Sequence, residues 1–180
     1  DLDYKISPNF GLDIPMEQIS KGNGGSCVLS AYSSSVISLS NHLTTSLGIT
    51  AQYFTLNKNW TVEPRAALKW SFNPKHALAL AYGLHSRRAK LDYYFVEQEA
   101  NGKTESNRYL DFSKAHHFGL TYDWNINSYM HLKVEPYYQY LFRIPVEENS
   151  SFSIINHQSF YLDRILKKRG SGVNYGIDIT

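Results

Sequence analysis

The sequence is poor in cysteine, in long apolar runs and in net charge. It has one cysteine, Cys27, among 180 residues, which excludes an intrachain disulfide and a cysteine-based metal site. It has no run of about 18 apolar residues, so we expect no transmembrane helix. Lys and Arg total 18 against 16 Asp and Glu, a net charge of +2. This near balance gives no reason to expect a nucleic-acid-binding surface.

Motifs for catalysis and nucleotide binding are also missing. The chain contains no G-x-S-x-G nucleophile turn, no phosphate-binding P-loop and no G-x-G-x-x-G dinucleotide motif. His116 and His117 are adjacent, so on a strand they point to opposite faces and do not share a metal ion. We therefore predict that the chain is not an enzyme and has no catalytic residues, metal site or cofactor.

Aromatic residues are abundant, at 14% of the chain with 14 tyrosines. Tyrosine combines an apolar ring with a polar tip, which suits an interface, a lectin-like surface or a membrane boundary. No signal peptide opens the chain, Asp1 is not a natural start, and Thr180 falls inside an alternating segment. We therefore expect a piece of a longer protein.

The clearest periodic segment spans residues 73–87 and follows the turn dipeptide Asn73-Pro74. Large and small residues alternate strictly, with Leu78, Leu80, Tyr82 and Leu84 opposite Ala77, Ala79, Ala81 and Gly83. This period of two predicts a strand. A helix is the alternative because Leu and Ala favour helices, but it does not explain why the large residues recur at every second position.

Similar alternation predicts seven strands, at residues 27–39, 42–54, 61–72, 76–87, 113–124, 129–142 and 172–180. Residues 1–26 are rich in Gly and Pro and are predicted to form a long loop. Residues 88–112 form either one long loop or an extended hairpin turning at Asn101-Gly102. A second long connection, residues 143–170, is predicted to hold a helical turn around residues 161–168.

The connections alternate between short turns and longer segments. We therefore predict an all-β, antiparallel up-and-down meander with its tight turns at one end and its long loops at the other. This asymmetry is typical of outer-membrane β-barrels. A soluble β-sandwich or barrel that binds a ligand explains the same alternation and stays open as the alternative.

The two faces of the strands differ in the same way as in such barrels, which have an apolar lipid side and a polar interior. The charged residues on the strands lie on one face, which is predicted to face the lumen. They are Glu63, Arg65, Lys69, Lys133 and Glu135. The residues predicted to face lipid are Leu78, Leu80, Tyr82, Leu84, Leu132 and Val134. Aromatic residues at both strand ends fit two membrane-interface bands.

The chain resembles the C-terminal barrel region of TonB-dependent outer-membrane receptors of the Bacteroidetes type. The matching segments follow one another over most of residues 28–180: VEPR at 62–65, AYG at 81–83, KAHH at 114–117, VEPYYQY at 134–140 followed by IPV at 144–146, and GVNYGIDIT at 172–180.

The resemblance implies part of a 22-stranded transmembrane barrel closed by an N-terminal plug. It implies uptake of a large nutrient (a metal chelate, a cofactor or a glycan) in the bacterial outer membrane, with membrane lipid and the TonB complex as partners. The chain departs from the family in having no plug, no TonB box and about a third of the strands. Transport by this fragment alone is therefore not expected.

A ligand would be recognised by the long loops, because the rigid barrel displays them. The best candidates combine aromatic rings with carboxylates, which suit a sugar or a cationic ligand: Tyr93, Tyr94, Phe95, Glu97 and Glu99. The alternative is a solvated loop with its own packing. The sequence does not name the nutrient.

Overall fold

The computed structural model describes residues 2–6, 17–22, 25–100, 102–157 and 162–180. The described residues form antiparallel strands and three short 3-10 helices, which span Leu91–Phe95, Asn107–Tyr109 and Ile154–Asn156. The strands are β1 (Leu2–Ile6), β2 (Glu17–Gly22), β3 (Val28–Ser40), β4 (Leu43–Phe54), β5 (Asn59–Asn73), β6 (His76–Arg87), β7 (Glu97–Ala100), β8 (Lys103–Ser106), β9 (Ser113–Asn125), β10 (His131–Val146) and β11 (Lys167–Ile179).

Seven of these strands form one antiparallel sheet in the order β11-β10-β9-β6-β5-β4-β3. Strands that follow one another along the chain within this sheet are paired with each other, so the predicted all-β antiparallel meander is confirmed. The predicted segments coincide with these seven strands to within a few residues at most ends. β10 continues to Val146, and β11 begins at Lys167, five residues before the predicted start.

The short turns lie at one end of the sheet, which we call the turn end. They are residues 41–42, 74–75 and 126–130. In the turn between β5 and β6, the Asn73 side chain accepts hydrogen bonds from the backbone N–H groups of Lys75 and His76, at 2.8 and 2.9 Å. The longer connections, residues 55–58, 88–112 and 147–166, lie at the opposite end, which we call the loop end.

Three predictions for the connections meet different outcomes. The long loop predicted for residues 1–26 is wrong where the chain is described, because β1 and β2 pair there. Between residues 88 and 112 the hairpin alternative is correct, since β7 pairs with β8. Asn101 lies outside the described residues, and Gly102 takes a φ of +71°, which glycine adopts without strain.

The helical turn predicted around residues 161–168 is also wrong where it can be compared. Tyr161 lies outside the described residues. Residues 162–166 are irregular, and Lys167 already belongs to β11. The pairing of β11 with the end of β10 explains the difference, because Lys167 lies opposite Val146 in the ladder.

The buried core is small and lies at the loop end. Its members are Phe54, Tyr93, Tyr94, Val96, Leu110, Phe112, Leu162 and Leu166. The buried side chain of Asn107 joins the two long connections, since it accepts from the N–H of Leu166 at 2.8 Å and donates to the carbonyl of Arg164 at 2.9 Å. The core thus packs the loops together and leaves most of both faces of the sheet uncovered.

Candidate functional site

The two faces of the seven-stranded sheet have different chemistry. One face, which we call the apolar face, carries large residues on all seven strands, and these residues are partly or largely solvent-exposed. Examples are Leu80, 58% exposed, and Ile49, 49% exposed. Some of these residues are direct cross-strand partners, as in Leu68–Leu80 and Leu80–Leu120. Contiguous exposed apolar surface of this extent marks an interaction surface and is not expected on a water-facing sheet.

Aromatic side chains border the apolar face at the turn end. This turn-end band consists of Trp70, Phe72, His76, Tyr122 and Trp124. The His76 ring stacks on Phe72 and Trp124, with ring centroids 5.8 and 5.7 Å apart. His76 Nδ1 also lies 2.8 Å from the Tyr122 hydroxyl. The band therefore combines apolar rings with polar tips at one edge of the apolar face.

A second aromatic band crosses the apolar face nearer the loop end. This loop-end band consists of Tyr82, His116, Phe118, Tyr138, Tyr140 and Phe142. His116 stacks on Phe142 at 5.0 Å, and its Nδ1 lies 3.0 Å from the Tyr82 hydroxyl. Along β6, the distance from His76 to the level of His116 is eight residues, or about 26 Å.

The structure places the predicted lipid-facing residues together on the apolar face. In the ladders Leu78 lies opposite Tyr122, Leu80 opposite Leu120, Tyr82 opposite Phe118 and Leu84 opposite His116. Leu132 and Val134 continue the same face on β10, opposite Trp124 and Tyr122. That these residues contact lipid stays a prediction.

The predicted lumen residues belong to the opposite parity, on what we call the polar face. Lys133 pairs with Glu135 at 2.7 Å, and Arg65 points outward with half of its side chain exposed. Lys69 lies two residues beyond Ala67, toward the turn end, on the same face. These four side chains line the polar face, whereas the fifth, Glu63, is buried.

Glu63 lies in a seam where β5 and β6 separate. The β5–β6 ladder extends only from Asn73–His76 to Arg65–Gly83. Beyond it the Glu63 carboxylate accepts hydrogen bonds from Gln52 Nε2 at 2.8 Å, Arg65 Nη2 at 3.1 Å and the Ser86 N–H at 3.2 Å, and from the Ser86 hydroxyl. Its side chain is only 3% exposed, so it joins neighbouring strands, and its predicted place in a lumen stays a prediction.

The predicted ligand loop is only partly exposed. Tyr93 and Tyr94 are buried in the loop-end core, and Tyr94 packs edge-on against Phe54 with centroids 5.2 Å apart. This burial raises the pKa of the Tyr94 hydroxyl. Phe95 is half-buried, and Glu97 and Glu99 on β7 are exposed. Of the five residues only the two glutamates are exposed, and their contact with a ligand stays a prediction.

Sequence reasoning missed a groove on the polar face, with a volume of about 490 Å³. Small residues from neighbouring strands form its floor: Gly48, Ala67, Ala81, Gly83 and Gly119. Polar side chains at its loop-end side include Arg65, His85, His117 and Gln139. The alternation of Ala and Gly on one face of residues 77–83 was the available signal, because it leaves space above the sheet.

His116 and His117 do lie on opposite faces, the first in the loop-end band and the second in the groove. Within the described part of the chain, no three His, Cys, Asp or Glu residues are grouped so as to hold a metal ion. The described residues also include no helix with the length and apolar character needed to cross a membrane.

Comparisons with known proteins identify no relative. No family model matches the chain, and neither a curated protein nor a solved structure matches it.

Proposed function

We propose that the chain forms seven neighbouring strands of a transmembrane β-barrel in the bacterial outer membrane. The observation that carries this proposal is the exposed apolar face with an aromatic band at each end. In water, exposed apolar area costs about 25 cal/mol per Å² relative to burial. A lipid layer removes this cost and places the amphipathic aromatic rings at its two boundaries.

The sheet edges support the same proposal. Among the described residues, no strand pairs with the outer edge of β3 or β11, each of which is 13 residues long. Long unpaired edges promote association with other chains, and barrel closure removes them. We propose that further strands continue both edges and that the complete barrel has 22 strands, the number implied by the sequence resemblance.

We further propose that this barrel belongs to a TonB-dependent receptor that takes up a large nutrient. The ordered sequence segments that resemble this family support the assignment. The placement of long connections at the loop end and short turns at the other also fits a barrel whose loops face outward. Outer-membrane lipid and the TonB complex are then the partners, and the nutrient is a metal chelate, a cofactor or a glycan.

The three native tryptophans provide a test of membrane placement. Trp60, Trp70 and Trp124 all lie on the apolar face, opposite Tyr53, Leu78 and Leu132 respectively. After reconstitution into vesicles, brominated lipid tails should quench their fluorescence strongly, and the water-soluble quencher acrylamide should quench it weakly.

The soluble ligand-binding module gives the opposite result. Such a module would be a monodisperse monomer without detergent, would not partition into vesicles, and would show acrylamide quenching unaffected by lipid. That outcome would reject the membrane barrel and favour the alternative.

A further inference from the structure

Arg65, His85 and His117 form a cluster of nitrogen-bearing side chains at the groove on the polar face. The strand pairing brings these residues together. Gly83 on β6 lies directly opposite Arg65 on β5 and directly opposite His117 on β9. His85 comes two residues after Gly83 and its ring folds back over that glycine. Arg65 and His117 therefore flank Gly83 on the two neighbouring strands, and His85 lies on the strand between them.

The imidazole rings of His85 and His117 lie close to Gly83 and to each other. A Cβ atom at Gly83 would lie 2.8 Å from His85 Nε2, so the ring occupies the space that another residue's side chain would fill. The rings of His85 and His117 lie 4.5 Å apart and are tilted by 53°. Gln139 Nε2 lies 3.4 Å from His117 Nδ1, and Asn174 donates to Gln139 at 3.3 Å.

The charge at this cluster is positive or neutral. Of the described residues that line the groove, none is Asp or Glu. Glu63, buried in the β5–β6 seam, forms an ion pair with one amino group of Arg65 at 3.1 Å. An arginine has five N–H donors, so most of those on Arg65 remain for a ligand, and the carboxylate restricts where the guanidinium lies.

We propose that this cluster binds an anionic group, a carboxylate or a phosphate, of a small ligand that enters the groove. The guanidinium supplies the fixed charge and a planar pair of donors that matches both groups. The imidazoles and the Gln139 amide add donors, and the small floor residues leave room for the ligand. The proposal rests on the proposed function in one respect, the assignment of the polar face to water.

The test uses the full chain labelled with ¹⁵N in nonionic maltoside micelles, which supply no competing anion. Inorganic phosphate and succinate are titrated separately, with glucose as a neutral probe. The readout is the set of backbone amide resonances of Gly48, Gly83 and Gly119 at the groove floor. We expect saturable shifts with one or both anions and none with glucose, and the anion that binds more tightly indicates the ligand group.

Charge-matched variants make the test specific. Arg65→Gln should weaken anion binding at least about tenfold, because a hydrogen bond to a charged group is lost. Lys75→Gln removes the same charge from the exposed turn between β5 and β6 and should leave affinity unchanged. If Arg65→Gln loses its native spectrum, the double variant E63Q/R65Q removes the buried charge as well, and His117→Gln tests the cluster independently.

Absence of saturable shifts, or equal weakening in Lys75→Gln and Arg65→Gln, would overturn the proposed anion site. Neither result would affect the membrane proposal, which depends on tryptophan quenching by lipid. Conversely, if the tryptophans are not quenched by lipid but the anion shifts persist, the groove site stands and the barrel does not.

Discussion

The carboxylate of Glu63 takes the place of a backbone partner for Ser86. Where β5 and β6 separate, the Ser86 N–H points to the Glu63 Oε1 atom at 3.2 Å, and Gln52 from β4 donates to the same oxygen at 2.8 Å. One buried side chain thus links three strands at the level where their ladder ends. This relationship explains why a residue predicted to face a lumen is almost completely inaccessible.

Removal of this carboxylate should destabilise the sheet. Glu63→Ala leaves Ser86, Gln52 and Arg65 without their shared acceptor, and we expect a loss of about 2–3 kcal/mol in the free energy of unfolding. Glu63→Gln keeps one acceptor oxygen and should lose less. Urea unfolding in maltoside micelles, followed by circular dichroism, measures both.

The exposed Glu99→Ala on β7 is the control for Glu63, and its unfolding curve should match that of the unchanged chain. Equal stability of Glu63→Ala and Glu99→Ala would contradict the role of the seam.

Gly83 and Gly119 form a matched pair on the groove floor. A Cβ atom at Gly83 meets the His85 ring, whereas a Cβ atom at Gly119 has nothing within 4 Å. We expect Gly83→Ala to cost about 1 kcal/mol, the lower end for inserting a methyl group into occupied space, because the His85 ring can turn away. Gly119→Ala should change stability by less than about 0.5 kcal/mol.

The double variant Gly83→Ala with His85→Ala checks the cause of this cost. If the ring is responsible, the double variant should be no less stable than His85→Ala alone. Strictly additive losses in urea unfolding would mean that the imidazole does not occupy the space above Gly83.

Two adjacent positions on β6 test the two faces by charge. Leu80→Lys places a charge on the apolar face near its centre, where we expect a cost of about 2–4 kcal/mol for membrane insertion. Ala79→Lys places the same charge on the polar face and should be tolerated. The fraction of chain that floats with vesicles in a density gradient measures both, and equal flotation of the two variants would count against distinct environments.

Tyr94 should make the loop-end core sensitive to alkali. Burial raises the pKa of its hydroxyl above the ordinary value of 10.0, so the folded state favours the protonated form. This contribution is complete below pH 10 and is lost as the pH rises through the folded-state pKa. Tyr94→Phe should therefore reduce the loss of stability between pH 9 and pH 12.

Tyr109→Phe, at a tyrosine that is 75% exposed, is the control for this pH dependence. Its unfolding midpoint should fall with pH in the same way as that of the unchanged chain. If Tyr94→Phe and Tyr109→Phe give the same pH profile, ionisation of Tyr94 is not the cause.

The regular strands were accessible to sequence reasoning because their alternation reflects two environments. Leu78 to Leu84 and Ala77 to Gly83 predict a strand and its two faces correctly. The pairing of β1 with β2 was not predicted, because Gly and Pro punctuate residues 1–26, although Leu2, Tyr4 and Ile6 alternate with Asp3 and Lys5. Likewise, Tyr93 and Tyr94 carry the same sequence signal whether they face a ligand or a core.

The groove shows a different limit. Ala77, Ala79, Ala81 and Gly83 all lie on one face of β6, which indicates open space above that face. The alignment of Arg65, Gly83 and His117 across the sheet, however, depends on the register of three strands. That register is set by the turn at residues 74–75 and by a long connection, residues 88–112, whose path the sequence leaves open between a loop and a hairpin. His85 was therefore not recognised as part of a site.

The most direct test of the proposed barrel compares two adjacent residues of β6. Cys27 is replaced by serine, and a spin label is attached to Leu80→Cys or to Ala79→Cys in chains reconstituted in vesicles. Oxygen, which concentrates in lipid, should relax the label at position 80 more strongly, and a water-soluble nickel chelate should relax the label at position 79. Equal access of the nickel chelate to both labels would contradict the assignment of the apolar face to lipid.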